Sequence, residues 1–184
     1  MKKCFTICFA LLCLTAICCG QVGKEQTKPA ADLPDLQALD HWAGKWESEM
    51  TINPNADLPK GGRSKGTSTG EWIHDGRFLL LTWKTDATEG MPKSTGSIIM
   101  TYDPGKKTYR SWSFFSSGYT RESRGVWDAD AKTMTWNSRD DETGRTSMTK
   151  ASFTDNTENW STVDKDKEGT VLSESSGKNT RKAP

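Results

Sequence analysis

The chain has 184 residues, 25 basic against 24 acidic, with 33% hydrophobic and 9% aromatic. That length suits one domain behind an N-terminal leader, and the near-neutral charge lacks the basic footprint of a nucleic-acid binder. All five cysteines lie at positions 4, 8, 13, 18 and 19, so the chain beyond Cys19 has no disulfide, thiol nucleophile or thiolate ligand.

Lys2-Lys3 precedes an apolar run from Phe5 to Ile17. The run is too short to span a membrane with margin, and polar sequence follows at once. Residues 1–20 therefore read as a secretory signal peptide, cut after Gly20. A lipoprotein is the rival reading, with Cys18 or Cys19 as the lipid anchor. It needs a small residue before the cysteine, whereas Cys18 follows Ile17 and Cys19 follows Cys18. The expected location is thus periplasmic or secreted, with a membrane-anchored lipoprotein as the alternative. Removing residues 1–20 leaves 23 basic and 24 acidic residues, a net charge of −1. No later run is apolar enough to be a transmembrane segment.

Residues 21–34 carry Lys, Glu, Gln, Pro and Ala without periodicity and read as a flexible linker. The remaining domain is expected over 35–182. A helix is expected from Asp35 to Ala43, capped by Asp35, with Leu36, Leu39 and Trp42 on one side. Gly44 ends it. The pattern then turns to period two. Lys45 to Ile52 alternates Trp46, Met50 and Ile52 with Lys45, Glu47, Glu49 and Thr51. Asn53 to Lys65 reads as a loop.

Thr67–His74 and Gly76–Trp83 flank Asp75-Gly76, a strong short-range hairpin signal. That turn sets Trp72 against Leu79, Gly70 against Leu81 and Ser68 against Trp83 on a face suited to an interior. The other face pairs Ile73 with Phe78 and Glu71 with Leu80, and is expected to meet water. A further turn recurs: Tyr102-Asp-Pro-Gly-Lys-Lys-Thr-Tyr109 and Trp127-Asp-Ala-Asp-Ala-Lys-Thr-Met134 share an aromatic, Asp, Lys and Thr at matching places.

Strands at Gly96–Tyr102, Tyr109–Phe115, Thr120–Trp127, Lys132–Asn137, Arg145–Phe153, Thr157–Val163 and Thr170–Lys182 complete a meander of about ten. Ser and Thr are expected at outward positions. Aliphatic residues are scarce, and the eight Trp supply much of the apolar area. The fold class is mainly β: a closed antiparallel barrel with one short N-terminal helix, or alternatively a β-sandwich.

The stretch Leu39-Asp-His-Trp-Ala-Gly-Lys-Trp46 joins Asp75-Gly-Arg-Phe-Leu79, the Tyr102-Asp103 turn with Tyr109 and Trp112, and the closing Thr180-Arg-Lys182. Together they resemble the bacterial family known as domain of unknown function 1579, a group of calycin-like barrels. The resemblance covers nearly the whole domain. The family usually has two glycines before the Arg, and here Asp75 takes the first place. The resemblance implies a fold and no agreed activity, so function rests on the site.

His41 and His74 are the only histidines. His41 reads as a partly exposed helix residue. His74, Asp75 and Arg77 read as turn chemistry, with a polar cluster at the barrel mouth as the functional alternative. Two separated histidines without cysteine build no usual zinc site. No His follows position 74, so the axial ligand of a haem-binding barrel is lacking, and no cofactor is expected. Asp164-Lys-Asp-Lys-Glu-Gly169 is similar to an EF-hand opening, but Ser175 stands at the twelfth place and strands flank it. Arg121 and Arg124 fall on opposite faces of one strand, so one of them points inward.

These residues lead to an exported, non-catalytic barrel that holds a small apolar or carboxylate-bearing ligand. The candidate ligand-binding residues are Trp46, Trp72, Arg77, Leu79, Leu81 and Trp83. A structural or interaction barrel of the cell envelope is the alternative, and an enzyme the second alternative, since nucleophiles and bases are few.

Overall fold

The computed structural model describes residues 28–88 and 90–183. The signal peptide and the two anchor cysteines expected from the sequence lie outside them. A 3-10 helix spans Pro34–Trp42. Ten strands follow: β1 (Gly44–Ile52), β2 (Gly62–Ile73), β3 (Phe78–Thr85), β4 (Ser94–Asp103) and β5 (Thr108–Phe115), then β6 (Thr120–Asp128), β7 (Thr133–Arg139), β8 (Thr146–Phe153), β9 (Thr157–Lys165) and β10 (Val171–Arg181). Each pairs antiparallel with the next, and β10 closes on β1. The architecture is a closed ten-stranded barrel, not a sandwich.

The helix departs from the expectation in kind and in its start. It is 3-10, with Pro34 in its first turn, and no side chain caps it, Asp35 included. Leu36, Leu39 and Trp42 are three residues apart, and side chains three apart eclipse in a 3-10 helix. All three are therefore buried together in one row. The row enters the barrel at the end where β1 begins, here called the helix end.

The β2–β3 register is the one the Asp75-Gly76 turn implies: Trp72 opposes Leu79, Gly70 opposes Leu81 and Ser68 opposes Trp83. His74, Asp75 and Gly76 all have positive φ, which Asp and especially Gly tolerate. Residues at the end of the expected linker pack over this turn. Ala30 N–H donates to Gly76 O at 3.0 Å, and Arg77 pairs with Asp32 at 2.9 Å. β2 begins at Gly62, inside the stretch expected as loop. Its glycines serve close packing there, since a Cβ at Gly66 would strike the Lys84 carbonyl.

Opposed residues share a face, so the inward face can be followed around the wall. Trp46 opposes Ser68, then Trp83, Gly96 and Phe115 in turn. Trp136 lies across Gly125, opposite it on β6, and Trp160 lies across Gly177, opposite it on β10. A Cβ at either glycine would sit 2.6 Å from the indole. The outer face is less polar than expected near β3: Phe78, Leu80, Ile99 and Trp112 form a half-buried strip. The Arg110 guanidinium covers Trp112 at 4.7 Å.

Candidate functional site

The barrel interior has two unlike halves. At the helix end, Trp72, Leu79, Met100, Tyr109, Met134, Trp136, Ala151 and Phe153 are all buried against Leu36, Leu39 and Trp42, and the buried Trp46 is tied to Trp42 by a hydrogen bond. The polar atoms of this plug are bonded. Trp72 Nε1 donates to Asp40 Oδ1 at 2.8 Å, Tyr109 OH to Asp35 O at 2.8 Å and Trp46 Nε1 to Trp42 O at 3.1 Å. Arg181 donates to the carbonyls of His41 and Ala43 and stacks on Trp46 at 4.3 Å. Burial pushes the Tyr109 hydroxyl up to about 12. His41 stacks on Phe153 at 5.0 Å and against Trp127 at 5.2 Å. Burial, and then the Lys132 charge, lower its pKa.

Glu158 is the one acidic side chain among the buried described residues. Trp42 Nε1 donates to its Oε1 at 2.9 Å and Asn179 Nδ2 to its Oε2 at 2.5 Å. Desolvation raises its pKa, offset in part by these two bonds.

The far half is different. Ser48, Leu81, Trp83, Ile98, Thr162 and Ser175 point inward by register yet are only half-buried. Side chains filling a solid core lose nearly all their surface. Leu81 and Ile98 among them pack against the plug, and Trp83 meets Phe115 edge-on at 5.4 Å. Hydroxyls are frequent on the inward face: Ser64, Ser68, Ser111, Ser113, Ser123 and Ser147 sit there and are buried. The expectation that hydroxyls face out is therefore only partly met. Both faces carry them, so alternation of polar and apolar residues could not separate the two.

The inward cation on β6 is Arg121. Its Nη1 donates to Ser147 Oγ at 2.9 Å, its Nη2 lies 3.7 Å from Asp164 Oδ1, and its buried Nε has no partner. Tyr119 lies over the guanidinium at 5.7 Å. Ser173 Oγ donates to Asp164 Oδ2 at 2.8 Å, so the first acid of the EF-hand-like stretch is held by neighbours. The rest of that stretch is the β9–β10 turn, in which Asp166 accepts the Thr170 N–H at 2.7 Å. Among the described residues no group of three metal-binding side chains occurs.

A half-open pocket of about 600 Å³ sits at this far end, lined in part by Ile52, Leu58, Tyr119, Arg121, Ser147 and Leu172. A second, of about 710 Å³, lies against the wall between β6 and β9, with Arg124, Ser138, Arg139, Ser147, Met148 and Lys165 in its lining. Both share Ser138, Arg139 and Ser147.

The six candidate residues of the sequence reading are not gathered into one site. Trp72 and Leu79 belong to the packed plug, and the buried Trp46 is hydrogen-bonded to it through Trp42 O. Leu81 and Trp83 are half-buried on the inward face, Leu81 against the plug. Arg77 is outside, about half exposed and paired with Asp32. Arg121 occupies the inward position instead. Its strand alternation showed that it or Arg124 points in, and only the register decides between them.

The chain matches the family described as protein of unknown function (DUF1579) over residues 34–175. It belongs to that family. The matched span runs from the 3-10 helix into β10, so DUF1579 here is a calycin-like closed barrel with a helical plug. No curated protein matches the chain. Solved structures share the fold at low identity, among them two with TM-scores above 0.5. The S-type phycobiliprotein lyase CPES from Guillardia theta has a TM-score of 0.57 at 12% identity, covering 80% of this chain and 92% of that one. Rv2717c from M. tuberculosis has a TM-score of 0.63 at 13% identity, covering 82% of this chain and 98% of that one. No helix among the described residues is long and apolar enough to cross a membrane.

Proposed function

We propose that this DUF1579 barrel is an exported, non-catalytic binding protein that takes a small amphipathic ligand into the half of the barrel away from the helix. The carrying observation is the contrast along the inward face: Trp46, Trp72, Leu79, Met100 and Met134 are buried, whereas Ser48, Leu81, Trp83, Ile98, Thr162 and Ser175 point inward by register and are only half-buried. A ten-stranded ring is wider than the eight-stranded barrels that side chains just fill, and the plug fills only one end. The lining mixes apolar rings with hydroxyls and one inward Arg, which suits a ligand with an apolar body and a polar edge. Export rests on the N-terminal run from Phe5 to Ile17.

Titration of intrinsic tryptophan fluorescence with alkyl and aryl carboxylates tests the reading, because Trp83 is one of the half-buried inward side chains. A saturable change at one ligand per chain, reduced by Trp83→Phe, is expected. If no member of the panel gives saturation, and the protein purified from exporting cells carries no small molecule by native mass spectrometry, the barrel is an interaction protein instead.

A further inference from the structure

The β6–β7 ladder is the shortest in the wall. It ends at Arg124 opposite Asn137, although β6 continues down to Thr120 and β7 to Arg139. The next two positions, Ser123 against Ser138 and Glu122 against Arg139, are not joined. Both strands remain paired on their other sides, β6 with β5 and β7 with β8. The wall is therefore parted here, and backbone groups along the parting lack the partners they have elsewhere.

The 710 Å³ pocket lies on this parting. It is lined from both faces of the wall: Arg124, Met148 and Lys165 point outward, whereas Ser138 and Ser147 point inward. Arg124, Arg139 and Lys165 make no ion pair among the described residues. Of the two acids in the lining, Glu122 is taken by Arg110 at 2.7 Å, which with Arg124 nearby holds its pKa down. Asp141 is left against three cations. Met148, 40% exposed, and the half-buried Val163 give the outer lip an apolar surface.

We propose that this parting is a lateral port, at which Arg124, Arg139 and Lys165 hold the anionic head of an amphiphile while its apolar part passes Ser138 and Ser147 into the barrel. The inference rests on the binding reading above and adds the ligand's charge and its route. Three clustered cations against one unpaired acid select a carboxylate or phosphate over a neutral or cationic head. Arg121, inside and already engaged by Ser147 and Asp164, is not the head's partner.

The test compares decanoate, decanol and decyltrimethylammonium by calorimetry and tryptophan fluorescence, on the wild type and on Arg124→Gln/Arg139→Gln/Lys165→Gln. The port predicts that the wild type prefers decanoate by at least about tenfold, roughly 1.4 kcal/mol. It predicts that this preference disappears in the triple variant while decanol affinity stays put, and that salt erodes it. Equal affinity of the wild type for decanoate and decanol overturns the port but leaves the binding reading intact. So does a preference that Arg121→Gln removes and the triple variant keeps, because the head then enters at the far end. Binding of none of the three probes, nor of any aryl carboxylate, removes the binding reading itself. Far-ultraviolet circular dichroism confirms that each variant is folded.

Discussion

Trp42 Nε1 donates to Glu158 Oε1 at 2.9 Å, tying the 3-10 helix to β9 across 116 residues of sequence. The bond places a carboxyl group at a residue only 5% exposed. Asn179 Oδ1 beside it has no partner. Asn179 Nδ2 donates to the other carboxyl oxygen, and desolvation raises the pKa of Glu158 against the pull of both bonds.

The consequence is a pH dependence of known sign. Burial raises the native pKa of Glu158 above its unfolded value. Between the two values the folded state keeps a proton that the unfolded chain releases. Stability therefore falls as pH rises through that window, and this group adds no slope below it. Glu158→Gln preserves an acceptor for Trp42, and its amide N–H donates to Asn179 Oδ1 once the Asn179 amide is turned. It should match the wild type near pH 4 and exceed it at pH 8, measured by urea unfolding. Parallel pH profiles for the two proteins would show that Glu158 is not the source.

Gly70 is where the plug comes closest to the wall. A Cβ there would strike the Trp42 carbonyl oxygen and lie 2.9 Å from its carbon. Both are backbone atoms, so relief requires the helix to move. Gly70→Ala should cost about 1–3 kcal/mol, the usual penalty for overpacking. Thr69→Ala, one position along and on the other face, should stay within about 0.5 kcal/mol. Denaturant midpoints compare them directly, and a reversed order would mean that the inward face is wrongly assigned.

Arg181 acts as a fork, serving two carbonyls where the helix hands over to β1. Removing it leaves the His41 and Ala43 carbonyls short of a donor. Arg181→Met should therefore destabilise by about 1–3 kcal/mol. Arg181→Lys should recover only part, because one ammonium cannot reproduce the planar fork or its stacking on Trp46. Thermal unfolding followed by near-ultraviolet circular dichroism reads both the loss and the release of Trp46. Full recovery with Lys would reduce the residue's role to charge.

What the sequence made legible was the local pairing. Asp75-Gly76 carried the β2–β3 register, and the Tyr102-Asp103 and Trp127-Asp128 turns marked the next hairpins. The repeated alternation then gave a strand count that closes. The helix type was not legible, because apolar residues at 36, 39 and 42 fit one face of an α-helix as well as a 3-10 row. The interior was harder still. A serine on a strand reads as solvated, yet Ser111 and Ser123 are enclosed by the curvature of the whole sheet. Arg77 looked like the interior cation because its hairpin was the clearest, but it sits in the turn itself. The parting between β6 and β7 depends on where a ladder stops, which neither strand's composition encodes.

The central claim is that the barrel is full at one end and hollow at the other, and stability can test it through the sign of one change. Ser48 and Ser175 both point inward and are half-buried. Urea unfolding of Ser48→Leu and Ser175→Leu is the measurement. In a hollow half each new side chain enters free space, and the account predicts that both variants are as stable as the wild type or more so, while ligand binding weakens. In a filled barrel each would overpack the core, and a loss of about 1–3 kcal/mol in both would contradict the account.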